Sequence, residues 1–193
     1  MSQAPAGHPD GRRRRGQDSR ARIVAAMLEI VHSGERSPSA EQVAARADVG
    51  LRTVFRHFQD MESLYREMGA VIEAEMMRMV ATPFQAQDWR GRVLELIERR
   101  AWVFEKVGPF LRASMLVRDR SQYLAANNAR LGAVSREILK AQLSPELARD
   151  HLKFEALDLL LSFETWFRLR RTQGLSPKRA RETLDAAVRA LID

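Results

Sequence analysis

Apolar residues recur at helical spacing along almost the whole chain, and no stretch beyond Pro83 alternates as a strand would. Ile23, Ala26, Met27, Ile30 and Val31 make one stripe of a helix predicted over residues 19–33, which Gly34 ends. Residues 39–58 then predict two short helices around a tight turn. Ser39 with Gln42 forms a capping-box start, each side chain satisfying a backbone donor that the first helical turn leaves unpaired. Val43, Ala44 and Ala47 share one face up to Asp48, and Asp48-Val49-Gly50 has the composition of a turn. The second short helix turns Val54 and Phe58 inward, leaving Arg52, Thr53, Arg56 and His57 outward. Small Ala44 lets the two helices cross closely, and Val49 and Val54 fill the angle. This is a helix-turn-helix, whose second helix can lie in a DNA major groove.

Asp60 has the position of an N-cap for a long helix carrying Leu64, Met68, Val71, Ile72, Met76 and Met79 on one stripe, stopped by Thr82-Pro83. Further helices are expected over residues 89–107, closed by Gly108-Pro109, and over 110–117 and 121–143. Ser144-Pro145 opens another that reaches about Thr172 with one break near His151, and Ser176-Pro177 opens the last. Between Phe154 and Leu169 apolar residues lie almost all the way round the helix, which points to burial on more than one side. The second side is either a partner subunit, in a four-helix bundle made by the last two helices of each copy, or the chain's own core. Leu160, Phe167, Leu184, Ala187, Val188 and Leu191 are the candidate dimer contacts. The chain is therefore expected to be all-α with about nine helices. Its organisation reads as a basic arm (1–18) with Pro and Gly but few apolar residues, a helix-turn-helix domain (19–65) and a larger helical domain (66–193).

Composition narrows the function. A hydrophobic share of 45% and a charged share of 30% suit a folded globular chain. No apolar run approaches the roughly 18 to 20 residues of a membrane span, and the first residues lack the apolar core of a signal peptide, so a cytoplasmic location without membrane partners is expected. With no cysteine, disulfides, thiol catalysis and thiolate metal sites are excluded. The net charge of +7 favours a polyanionic partner, and the arginines at 12, 13, 14 and 15 stand just ahead of the helix-turn-helix. No phosphate-cradling Gly loop, no His pair at metal spacing and no nucleophile beside a base is present, so neither an enzyme nor a cofactor or metal site is expected.

The run Val49-Gly50-Leu51-Arg52-Thr53-Val54-Phe55-Arg56-His57-Phe58-Gln59-Asp60-Met61-Glu62-Ser63-Leu64, within residues 20–68, resembles the N-terminal domain of the TetR-type repressors. The later helices resemble that family in number and order, with a Leu-Arg-Arg and Gln-Gly-Leu-Ser-Pro run before the final helix. The resemblance implies a homodimer that binds a palindromic operator in double-stranded DNA and leaves it when a small-molecule effector enters the larger domain. Entry would act by shifting the long fourth helix. By position it implies that Leu51, Arg52 and Thr53 begin the recognition helix, with the Arg52 fork suited to the two acceptors of guanine. Arg56 and His57 would grip phosphates, as would Ser39 at a helix start, whereas Ala40 cannot. Arg12, Arg13, Arg14 and Arg15 would add affinity independent of sequence. Three positions depart from the family pattern: Phe55 replaces a tyrosine that donates to phosphate, Met61 replaces a lysine, and Asp48 replaces a turn glycine.

Candidate effector contacts are the large flexible and aromatic side chains of the second domain: Met76, Met79, Trp89, Trp102, Phe104, Phe110, Met115, Tyr123, Phe163 and Trp166. Glu155 and Asp158 either recognise a cationic ligand or pair with arginines such as Arg118 or Arg120. A helical DNA-binding dimer without small-molecule control is the alternative function.

Overall fold

The computed structural model describes residues 9–35, 37–118 and 121–193. Among them there are ten α-helices and no strand: α1 Pro9–His32, α2 Ala40–Arg46, α3 Leu51–His57, α4 Met61–Val80, α5 Trp89–Arg118, α6 Gln122–Lys140, α7 Pro145–Arg149, α8 His151–Leu160, α9 Phe163–Phe167 and α10 Pro177–Ile192. A π-helical turn, Arg168–Thr172, follows α9 directly. The chain divides into two compact units, one of residues 1–73 with 109–121, the other of residues 74–108 with 122–193.

Side-chain capping explains most of the starts. The Ser39 Oγ accepts from the Gln42 N–H at 3.2 Å while the Gln42 Oε1 accepts from the Ser39 N–H at 2.7 Å, the reciprocal box expected at α2. Asp60 accepts from the Ser63 N–H at 2.7 Å ahead of α4. Ser144 and Ser176 cap α7 and α10, each followed by a proline whose missing N–H costs nothing at the first helical position.

Three boundaries differ from the periodic reading. Helix α1 begins at Pro9 rather than residue 19, so the Arg12, Arg13, Arg14 and Arg15 backbone is helical. Arginine is a good helix former, and Gly11 and Gly16 only weaken the segment. Helix α5 continues past Pro109, because a proline removes one backbone bond and the remaining ladder of a 30-residue helix holds the element together. The two units divide at this residue. The helix after Pro145 breaks at Asp150, beside the His151 position where one break is expected, and a second time at Ser162, where none is. Each supplies an oxygen to a backbone N–H three residues on, and so starts a new helix.

The restart at Ser162 also resolves the helix that looked apolar all round. Phe154, Leu157 and Leu161 on one side of it, and Trp166 and Leu169 on the other, are all buried in one core with Val93, Leu96, Ile97, Leu139, Ala180, Leu184 and Val188. Leu152 and Leu159 of α8 stay in solvent, 85% and 65% exposed.

One polar device ties this core to α5. The carboxylate of Glu105 accepts from the buried Trp166 Nε1 at 2.9 Å and from Arg170 Nε at 2.7 Å. The Arg170 hydrogen bond, helped by the Trp166 N–H, holds Glu105 below the usual carboxylate range against the opposing effect of burial. Glu105→Ala strands the indole N–H and is expected to cost about 1 to 2 kcal/mol, read as a lower midpoint in urea unfolding. Glu105→Gln, which keeps an acceptor, should cost less.

Candidate functional site

In the first unit α2 packs against α1 and α3, and Ile23, Met27, Val43, Val54, Phe58, Leu64 and Met68 are all essentially inaccessible. Helix α2 ends in a Schellman arrangement: the Val49 N–H bonds the Ala44 carbonyl at 3.0 Å and the Asp48 N–H bonds the Ala45 carbonyl at 3.2 Å. The residue that must then take a left-handed conformation is Asp48, at φ 51°, while Gly50, at φ −69°, is an ordinary N-cap for α3. The turn therefore uses its glycine where none is required and an aspartate where glycine is usual. Asp48→Gly is expected to stabilise the unit by about 0.5 to 1 kcal/mol, since relief of left-handed strain outweighs the added freedom of the unfolded chain. A rise in melting temperature checks it.

Arginines hold this turn in place. Arg22 Nη2 donates to the carbonyls of Ala47 and Asp48. Arg20 donates to the His57 carbonyl at 2.7 Å, pairs with Glu67 at 2.7 Å and stacks 4.5 Å above the Phe58 ring. Arg46 pairs with Glu29 at 2.7 Å. Arg20 thus fastens the end of α3 to α1 and α4. Along the sequence it is one more member of a basic run, because its acceptors are 37 and 47 residues away.

The exposed face of α3 carries Leu51, Arg52, Phe55 and Arg56, with Phe55 49% exposed and Thr53 half-buried. Arg52 and Arg56 lie one turn apart, and among the described residues neither makes an ion pair. Ser39 is exposed at the start of α2. His57 is placed differently from the others. Its Nε2 is shielded from solvent and has no hydrogen-bond partner among the described residues. The Arg12, Arg13, Arg14 and Arg15 side chains lie outside the described residues.

Burial, reinforced by the Arg56 and Arg20 charges, pushes the His57 imidazole below its usual range. A base held neutral in the fold binds a proton more readily when unfolded, so the stability it preserves is intact above its ordinary value of 6.5 and falls away below it. Acidification from pH 7.5 to pH 5.5 (chosen to bracket roughly that value) should lower the melting temperature of the wild type more than that of His57→Gln.

The second unit contains a cleft lined by Met76, Phe84, Leu96, Val103, Phe104 and Ile138. Its polar lining is Arg99, Arg100 and Ser135. Of the expected effector contacts it brings Met76 and Phe104 together. Phe163 stacks edge-on against Phe104 at 5.5 Å between ring centres. Trp166 is buried in the core, Trp89 packs at its margin under Arg90, and Trp102 is exposed beneath Lys106. Phe110 is buried in the first unit, its ring reaching the bare Cα of Gly69, and Met115 belongs to that unit too. Tyr123 is half-buried on α6, and the Met79 side chain lies outside the described residues. Glu155 and Asp158 both pair with Arg136, at 2.5 and 2.7 Å, and the side chains of Arg118 and Arg120 lie outside the described residues. Arg100, which the sequence does not set apart from its neighbouring arginines, is the new member of the cleft.

Of the dimer candidates, Leu184 and Val188 are taken up in the chain's own core, and Leu160, Phe167, Ala187 and Leu191 are half-buried. Among the described residues no cluster of His, Asp and Glu could hold a metal ion, and no helix is long and apolar enough to cross a membrane.

No family model and no curated protein sequence matches the chain significantly. Solved structures do. A protein of Mesorhizobium loti described as a TetR-family transcriptional regulator is similar at 20% identity with a TM-score of 0.60, over 92% of this chain and 96% of that one. The multidrug binding protein EbrR, solved with imidazole, is similar at 21% identity with a TM-score of 0.61, over 99% of this chain and 98% of that one. At such identities likeness speaks to architecture, and the chain has the all-helical fold of the TetR-family regulators.

Proposed function

We propose that the chain is a DNA-binding transcriptional regulator, a repressor that holds a palindromic operator as a cytoplasmic homodimer and lets go when a small molecule enters the second unit. One observation carries the DNA reading. In the first unit Arg20, Arg22 and Arg46 are consumed by acceptors within the fold, whereas Arg52 and Arg56, among the described residues, stand without an ion pair on the exposed face of α3. A helix with two such guanidinium groups one turn apart, beside exposed Leu51 and Phe55, offers base-edge and phosphate contacts together. His57 has a supporting part, filling space behind α3.

Self-association is supported by Leu152 and Leu159, seven residues apart on one side of α8 and left in water by the single chain. Leu160, Phe167, Ala187 and Leu191 retain partial exposure and belong to the same proposal. Effector control rests on the cleft of the second unit and on the ligand-bound neighbour EbrR.

The test is a salt titration of binding to a duplex, followed by fluorescence anisotropy, with sedimentation run in parallel. Each phosphate engaged should contribute about −0.9 to the slope of log affinity against log salt. A steep slope from a dimer supports the proposal. A monomer whose anisotropy signal never changes with duplex defeats it.

A further inference from the structure

The cleft of the second unit is walled by hydrocarbon yet contains a cation that, among the described residues, no contacting acid neutralises. Arg99 is fully engaged, pairing with Glu95 at 2.6 Å and donating to the carbonyls of Thr82 and Pro83. Among the described residues Arg100 has neutral acceptors alone: Nη1 donates to the Leu161 carbonyl at 2.8 Å and Nη2 to the Ser135 carbonyl at 2.7 Å. Among the described residues no carboxylate lies within ion-pair distance of it. The acid whose field it feels, Asp158, already gives an oxygen to Arg136 at 2.7 Å. Burial accordingly pushes the Arg100 guanidinium down to about 10. A guanidinium has five N–H donors, so Arg100 keeps donors beyond the two used by these carbonyls.

We propose that this cleft binds a small apolar monoanion, its carboxylate on Arg100 and its hydrocarbon against Leu96, Val103, Phe104 and Ile138. This rests on reading the cleft as the effector site and names the class of effector. A carboxylate makes charge-assisted, bidentate bonds with a guanidinium that a neutral polar group cannot match. A cation would meet two arginines and, among the described lining residues, no carboxylate. The cavity volume of about 90 Å³ sets the scale at a single ring or short chain, well under a drug-sized pocket. Glu155 and Asp158, bound to Arg136, are not available to draw a cation into the unit.

The test is isothermal titration calorimetry of the full chain with benzoate, its neutral counterpart benzamide and the cation benzylamine. Benzoate should bind saturably, at least roughly tenfold more tightly than benzamide, and benzylamine should not bind. Arg100→Gln should erase the preference and Arg100→Lys restore part of it. Val103→Trp, which fills the cleft and keeps Arg100, should abolish benzoate binding. Equal affinity for benzoate and benzamide, benzoate binding that survives Val103→Trp, or no benzoate binding up to about 10 mM overturns the proposal. No DNA is present in these titrations, so the two readings fail separately. Benzoate that binds through Arg100 without releasing DNA refutes effector control and keeps the anion site. Release of DNA by a neutral or cationic compound acting in the cleft, with no benzoate binding, keeps effector control and refutes the anion site.

Discussion

Replacing Phe58 with alanine is expected to destabilise the N-terminal unit by about 3 to 5 kcal/mol, the range for deleting a fully buried aromatic ring. Phe58 is the residue at which α3 ends, its N–H bonding the Val54 carbonyl at 2.8 Å, and it is only 2% exposed. Arg20 covers that ring and at the same time binds the neighbouring His57 carbonyl. Losing the ring therefore opens a cavity and loosens the arginine that fixes the end of α3. Against a total stability of the order of 5 to 15 kcal/mol, such a loss leaves the unit largely unfolded or close to it. Two signals should move together: the guanidinium midpoint and duplex binding. Phe58→Leu keeps most of the volume, so it should cost much less and leave binding measurable.

Arg52→Ala is expected to act in the opposite manner, sparing the fold and removing recognition. Its side chain is exposed and makes no ion pair among the described residues, so the melting temperature should stay within about a degree or two of wild type. Its loss should cost about 1 to 3 kcal/mol in DNA binding and relax preference at one base pair of each half-site. Arg56→Ala provides the contrast. If the Arg56 guanidinium holds a phosphate as proposed, removing it should weaken all sequences alike and flatten the salt slope by about 0.9. If Arg52→Ala also weakened every sequence equally, Arg52 would be assigned to the DNA backbone as well.

What the sequence reveals of this molecule follows the range of each interaction. Helical stripes are local, and so are caps. Ser39, Asp60, Ser144 and Ser176 are all legible as starts because each bonds a backbone N–H three residues away. The α2–turn–α3 unit follows from them, including the inward Val54 and Phe58. Breaks and continuations are harder. Pro109 reads as a stop by its local chemistry, but it ends no helix where the surrounding turns remain bonded. Ser162 looks like a neutral helix residue until its hydroxyl is seen accepting from the Thr165 N–H.

Pairing between distant charges is least legible. With 28 of the 32 basic residues being arginine, every acid has several plausible partners. Arg136 holds Glu155 and Asp158, and nothing near position 136 marks it. The same crowding hides Arg20 and Arg22 as clamps on the turn and Arg100 as the cation of the cleft. On α3 the outward set expected from periodicity separates once side chains are placed. Arg52 and Arg56 remain in solvent, whereas His57 Nε2 is folded in, a difference that helical spacing alone does not resolve.

That two copies of α3 read duplex DNA through Arg52 can be checked in one selection experiment. Bound sequences are recovered from a random duplex pool at fixed salt, by the wild type and by Arg52→Ala in parallel. The wild type should yield a palindrome, its half-site centres about one helical turn (34 to 36 Å) or a multiple apart. The variant should lose preference at one position in each half. An unstructured pool from the wild type, or an identical palindrome from both proteins, would contradict recognition through Arg52.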